Sequence, residues 1–155
     1  MKTEREQFEQ MLEVLMKFVD TVNERHAGGV SFGTPYRLYP AEIHTVVAIG
    51  QNEGVGLTQL AEQLEISKAT LSERIRKLIQ KGFVEKRKNP IDQKAVELRL
   101  TETGKKAEHH HEFHHAKMYE EFRQYFGEDA SRKIALFTRT FNELTGFERS
   151  TPDLS

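Results

Sequence analysis

The apolar period of this chain changes at Gly82, and that change restricts the fold more than any other feature. Before it, Leu71, Ile75 and Leu78 recur at three- and four-residue spacing, as in a helix that buries one stripe. After it, Phe83-Val84-Glu85-Lys86-Arg87 and Ala95-Val96-Glu97-Leu98-Arg99-Leu100 alternate. Lys88-Asn89-Pro90-Ile91-Asp92-Gln93-Lys94 between them carries turn formers, so the two runs read as a β-hairpin with a basic tip. Upstream, Leu57 to Leu64 reads as a short helix capped by Thr58. Glu65-Ile66-Ser67 connects it to a helix that Ser67 caps and that runs through Lys81 to a left-handed stop at Gly82. Two short helices across a three-residue turn, followed by a two-stranded ribbon, form a winged helix-turn-helix.

The rest of the chain reads as helix. Phe8, Met11, Leu12, Leu15, Phe18, Val19 and Val22 place one apolar face on a helix from Glu4 to about Arg25. A glycine-rich loop, Ala27 to Tyr39, leads to a helix that Pro40 opens and that reaches Gly50. Thr101 caps a long helix to about Phe126, Gly127 breaks it, and Glu128 to Phe147 forms the last, before a frayed tail from Glu148 to Ser155. The expectation is a mainly α fold with a small β-hairpin wing, in one domain spanning 1–155. A DNA-binding lobe would cover about 40–100, and pairing helices about 4–26 and 101–147.

With no cysteine, disulfides, thiolate metal sites and a catalytic thiol are all excluded. No apolar run is long enough to span a bilayer, and MKTEREQFEQ places charge where a secretory leader would be greasy, so a cytoplasmic protein with no membrane partner is expected.

A net charge of -1 conceals a segregation. Ile66 to Lys106 holds twelve Lys and Arg against five acids, a local +7 that leaves -8 on the remainder. A polyanion responds to the field within about 8–10 Å, so this stripe can hold double-stranded DNA while the acidic remainder discourages indiscriminate adhesion.

On the helix after Ser67, the arc opposite Leu71, Ile75 and Leu78 carries Ala69, Glu73, Arg76, Lys77 and Gln80. Short side chains at its start, Ser67, Lys68, Ala69, Thr70 and Ser72, let the backbone approach a duplex. Arg74 and Arg76 suit phosphate or guanine, and Glu73 can accept from cytosine. Lys86, Arg87, Lys88 and Lys94 crowd charge onto the ribbon, where self-repulsion brings no folding benefit, and such a ribbon suits a minor groove and its flanking phosphates.

The segments Leu57-Thr58-Gln59-Leu60-Ala61-Glu62-Gln63-Leu64, Ser67-Lys68-Ala69-Thr70-Leu71-Ser72, Leu78-Ile79-Gln80-Lys81-Gly82-Phe83-Val84 and Leu98-Arg99-Leu100-Thr101-Glu102-Thr103-Gly104 resemble the multiple-antibiotic-resistance regulator (MarR) family of transcription factors. The resemblance implies a homodimer that offers a recognition helix and a wing per subunit to each half of a palindromic operator, with the first and last two helices forming the dimer. Family wings commonly carry Asp-X-Arg, whereas this chain has Asp92-Gln93-Lys94, and lysine cannot reproduce a flat bidentate fork.

Five of seven histidines fall at 109, 110, 111, 114 and 115, pairing His110 with His114 and His111 with His115 one helical turn apart. For much of such a cluster a solvated polar surface is the simpler reading. Resemblance to the zinc-responsive branch of the family singles out His110 and His114, with His44 and Glu24, as a zinc site, and Glu42 and His26 as substitutes. The alternative signal is a small aromatic or anionic effector lined by Phe32, Tyr36 and Tyr39. The expected function is therefore sequence-specific DNA binding controlled by a metal or small-molecule ligand. The competing class is a dimeric interaction protein of the same fold that has lost DNA recognition. No phosphate loop, nucleophile elbow or paired Ser and His supports an enzyme.

Overall fold

The computed structural model describes residues 2–89 and 95–151. Its elements, in order, are α1 (Glu4–His26), α2 (Pro40–Gln51), α3 (Leu57–Gln63), α4 (Lys68–Gln80), β1 (Val84–Lys88), β2 (Val96–Leu100), α5 (Glu102–Phe126), a 3-10 turn (Gly127–Asp129) and α6 (Ala130–Ser150). Four of the helices start with a local cause. Thr3 and Glu6 cap α1 reciprocally, Pro40 opens α2, and the Ser67 hydroxyl accepts the Thr70 N–H at the head of α4. The Thr101 hydroxyl accepts the Gly104 N–H at the head of α5 and donates to the Gly82 carbonyl, tying the start of α5 to the end of α4.

Two sequence expectations are corrected at helix ends. Gly56, not Thr58, is the N-cap of α3, and no side chain caps it. The last helix runs on to Ser150, three residues beyond Phe147.

The chain falls into two compact units, Met1–His111 and Glu112–Ser155. The boundary lies inside α5 rather than at its start, because Gly104, Ala107 and His111, three and four residues apart, are the buried face of that helix. Ala107 joins the first unit's core, where Leu38, Val46, Ile49, Leu60, Leu71, Leu78 and Phe83 are fully excluded from solvent. β1 and β2 pair antiparallel, from Val84 opposite Leu100 to Lys88 opposite Val96. A single bridge from Val55 to Leu98 attaches the inner end of the hairpin to the segment before α3. On β1 only Val84 is buried, which leaves Lys86, Arg87 and Lys88 exposed, whereas β2 buries Glu97, Leu98 and Leu100.

In the second unit Phe122, Phe126, Phe137 and Phe141 form a chain of ring contacts, with the Lys133 ammonium over Phe126 and Phe137. Ala130 is the one buried residue of α6. In the first unit, α1 buries no residue at all. Its Phe8, Met11, Leu12, Phe18, Val19 and Val22 are exposed along one face. Among the described residues no helix is long and apolar enough to cross a membrane.

Candidate nucleic-acid interface

The face of α4 follows from its sequence. Leu71, Ile75 and Leu78 are buried, and that fixes Ser67, Lys68, Ala69, Thr70, Ser72, Glu73, Arg76 and Lys77 on the exposed side. Ser67 donates or accepts with the Thr70 hydroxyl at 2.8 Å as well as capping the helix, so the short side chains at its start are held in place.

Two cations of α4 that look alike in sequence have different partners. Arg74 is half-buried, and its Nη1 donates to the fully buried Thr45 hydroxyl at 3.1 Å, which joins α4 to α2. Arg76 lies on the outer face. Its Nη2 and Nε donate to the two carboxylate oxygens of Glu73 at 2.8 and 3.3 Å, and Lys77 Nζ lies 3.5 Å from the same group. The Arg76 hydrogen bond holds the Glu73 carboxyl below its ordinary value, and the same bond holds the Arg76 guanidinium above its own. A shallow groove beside them is lined by Tyr39, Glu42, Thr70, Glu73, Arg74 and Lys77.

The hairpin rises beside α4 from a buried foot. Glu97, 9% exposed, accepts from Asn89 Nδ2 at 2.5 Å, across the hairpin, and from Arg99 Nη2 at 3.0 Å on its own strand. On β1, Glu85 takes Arg87 Nη2 at 2.6 Å, while Lys86 and Lys88 are exposed. Lys94, with Asp92 and Gln93, lies outside the described residues.

The histidine cluster divides differently from its spacing. His111 is 7% exposed and His110 is exposed, so the inward ring is one residue along from the expected one. The His111 ring meets His44 edge-on at 5.7 Å and Phe32 at 5.6 Å. His110 lies across Gly33, at whose φ of +68° a Cβ would come 2.5 Å from its Nε2. Glu42 is held by Lys81 Nζ at 2.8 Å from each oxygen and by the Tyr39 N–H, and His26 Nδ1 pairs with the Val22 carbonyl of its own helix. Among the described residues no three His, Asp or Glu side chains come together in a way that would hold a metal ion. Glu24 is exposed near the end of α1, and His114 belongs to the second unit. The three aromatic residues of the loop have separate contacts: Phe32 on His111, Tyr36 on Phe83, and Tyr39 under Lys81.

A family model described as "MarR family" matches residues 38–96, the stretch that holds α2, α3, α4 and β1 and ends at the first residue of β2. An HTH-type transcriptional regulator of Bacillus subtilis, YhjH, is 32% identical over 115 residues, 74% of this chain and 66% of its own length. The chain thus spans just under two thirds of that relative. The structure of Streptococcus pneumoniae FabT in complex with DNA has a TM-score of 0.71 at 22% identity, covering 92% of this chain and 97% of that one. Residues 38–96 of the chain match the MarR family. A second neighbour, the zinc-responsive MarR family member ZitR of Lactococcus lactis, has a TM-score of 0.62 at 22% identity, over 92% of this chain and 99% of its own. At these identities the two structures speak for the fold.

Sequence reasoning named the exposed face of α4 and the basic ribbon but missed what supports them. Thr45 with Arg74, Glu42 with Lys81, and Glu97 with Asn89 each bridge different segments. No local spacing announces such pairs. His111 had a local signal, because it continues the stripe of Gly104 and Ala107 at helical intervals.

Proposed function

We propose that this chain is a DNA-binding transcriptional regulator that works as a homodimer, each subunit placing α4 in the major groove of one half-site and its hairpin on the flanking backbone. One observation carries the reading. Buried Leu71, Ile75 and Leu78 turn Lys68, Thr70, Ser72, Arg76 and Lys77 outward beside a ribbon carrying Lys86, Arg87 and Lys88. The head of α4 is small enough for close approach, and the cations behind it match the charge of phosphate. Partnership with a second copy is supported by α1, a 23-residue helix that buries none of its apolar face within the chain.

Control by a ligand belongs to the same proposal. Half-sites one helical turn apart, about 34 Å, demand a fixed distance between the two recognition helices, and an effector acts by binding one spacing better than another. Zinc is one candidate, suggested by the zinc-responsive neighbour, with Glu24, His44, His110 and His114 as its donors. The described residues do not gather three donors, so they do not form a ready-made centre. The other candidate is a small aromatic or anionic effector.

The deciding experiment is selection of duplexes from a random pool, with and without zinc, followed by affinity against salt. Arg76→Ala and Lys88→Ala should each reduce the logarithmic salt slope by about one. Equal affinity for every duplex and a charge-matched polyanion would leave the interaction-protein reading instead. Calorimetric titration of zinc into wild type, His44→Ala, His110→Ala and His114→Ala separates the two effector classes.

A further inference from the structure

We propose that Glu73 sets the sequence selectivity of the α4 surface, keeping Arg76 and Lys77 from backbone phosphates until a base edge with an amino donor takes their place on its carboxylate. The proposal rests on the DNA-binding reading above and deepens it.

Glu73 is the sole acid of α4, whose cations are Lys68, Arg74, Arg76 and Lys77. It lies past the first turn, so the helix dipole gives it no reason to be there. Its pair with Arg76 is open to water, with side chains 53% and 55% exposed, and pairs of that kind add little to stability. In a surface that faces a polyanion, an acid is a liability unless it discriminates.

The geometry says how it discriminates. Arg76 presents its Nε and Nη2 edge to Glu73, the same fork that would grip phosphate or the O6 and N7 of guanine. Arg74 is bonded to Thr45, so the cations that face outward on this half of the helix are Arg76 and Lys77, and Glu73 engages both. To reach a phosphate, Arg76 must leave Glu73, and the carboxylate then confronts the phosphate without its partner. Any duplex imposes that cost. A cytosine N4 or adenine N6 amino group within reach relieves it, because the carboxylate accepts from the base while the freed guanidinium turns to guanine or phosphate. Binding at random sequence is penalised and binding at a matching half-site is not.

The test uses the full-length protein, a random-sequence duplex and the duplex best selected from a random pool. Glu73→Gln removes the charge and keeps the shape. It should tighten binding to the random duplex about tenfold and steepen the logarithmic salt slope by about one, with affinity for the selected duplex changed less than about threefold. Selection repeated with the variant should lose a cytosine preference at one position of each half-site, whereas an adenine preference, which a glutamine amide also serves, should be lost only in Glu73→Ala. Glu73→Ala should loosen selectivity likewise, with the helical circular dichroism of wild type retained because the side chain is exposed. The proposal is overturned if Glu73→Gln changes both affinities by the same factor, or leaves the slope and the selected sequence as they were. A wild-type protein that prefers no duplex over random DNA sinks the DNA-binding reading itself, and this proposal with it, before any variant is compared.

Discussion

The ammonium of Lys81 lies 2.8 Å from each carboxylate oxygen of Glu42, joining the end of α4 to the first turn of α2. Lys81 also donates to the Arg37 carbonyl and sits over the Tyr39 ring, so a single residue gathers the loop, α2 and α4 behind the outward face of α4. The pair is largely shielded, with side chains 26% and 10% exposed, and its desolvation is already spent when both partners are present.

Removing one partner should therefore be worse than removing both. Lys81→Met should lower unfolding free energy by about 3 kcal/mol, and adding Glu42→Gln should recover part of that loss. Urea denaturation followed by circular dichroism reads both. Strict additivity of the two changes would mean that the pair does not couple.

Gly104 is required for space rather than for backbone freedom. A Cβ there would collide with the Phe83 carbonyl oxygen and come 3.2 Å from Leu100, and neither can swing aside as a flexible side chain would. Gly104→Ala should cost about 3 kcal/mol, whereas Gly56→Ala, where a Cβ meets nothing within 4 Å, should be close to neutral. A thermal melt of the two variants separates them, and equal melting temperatures would contradict the packing of α5 on the β1 entry.

Acidification should act on the outer face of α4 through Glu73. A carboxyl held below its ordinary value contributes stability that is complete above that value, 4.5, and lost as pH falls through the lower folded value. The Glu73 Cδ resonance should titrate with a midpoint below 4.5 in the wild type and move back up in Arg76→Ala, whose guanidinium is the main cause. A midpoint indifferent to Arg76 would break that assignment.

The uncovered face of α1 should be a contact between copies. Leu12→Glu places charge in the middle of that face, where the side chain is exposed in the single chain, so the fold survives while association is lost. Sedimentation velocity should give a dimer for wild type and a concentration-dependent shift toward monomer for the variant. Identical sedimentation of the two would remove α1 from the interface.

Much of this was legible in the residues because it is local. Ser67 capping α4, Gly82 at φ +76° ending it, Thr101 starting α5 and Gly127 at φ +55° closing it are each decided within one turn of chain. The exposed face of α4 follows from three buried positions at helical spacing. Less legible was which histidine turns inward. The one-turn pairing of the histidines treats His110 and His111 alike, and only the Gly104, Ala107 and His111 stripe, with packing against Phe32 and His44, decides for His111.

Sequence alone determined the kind and order of elements, the segregation of cations onto α4 and the hairpin, and the family resemblance, because capping, periodicity and charge are properties of neighbours along the chain. Only tertiary structure decided that Arg74 and Lys81 are already engaged by distant partners. Thr45 meets Arg74 across 29 residues and Glu42 meets Lys81 across 39. A side chain's partner depends on which distant segment the buried core brings within reach, and no pattern confined to adjacent residues records that.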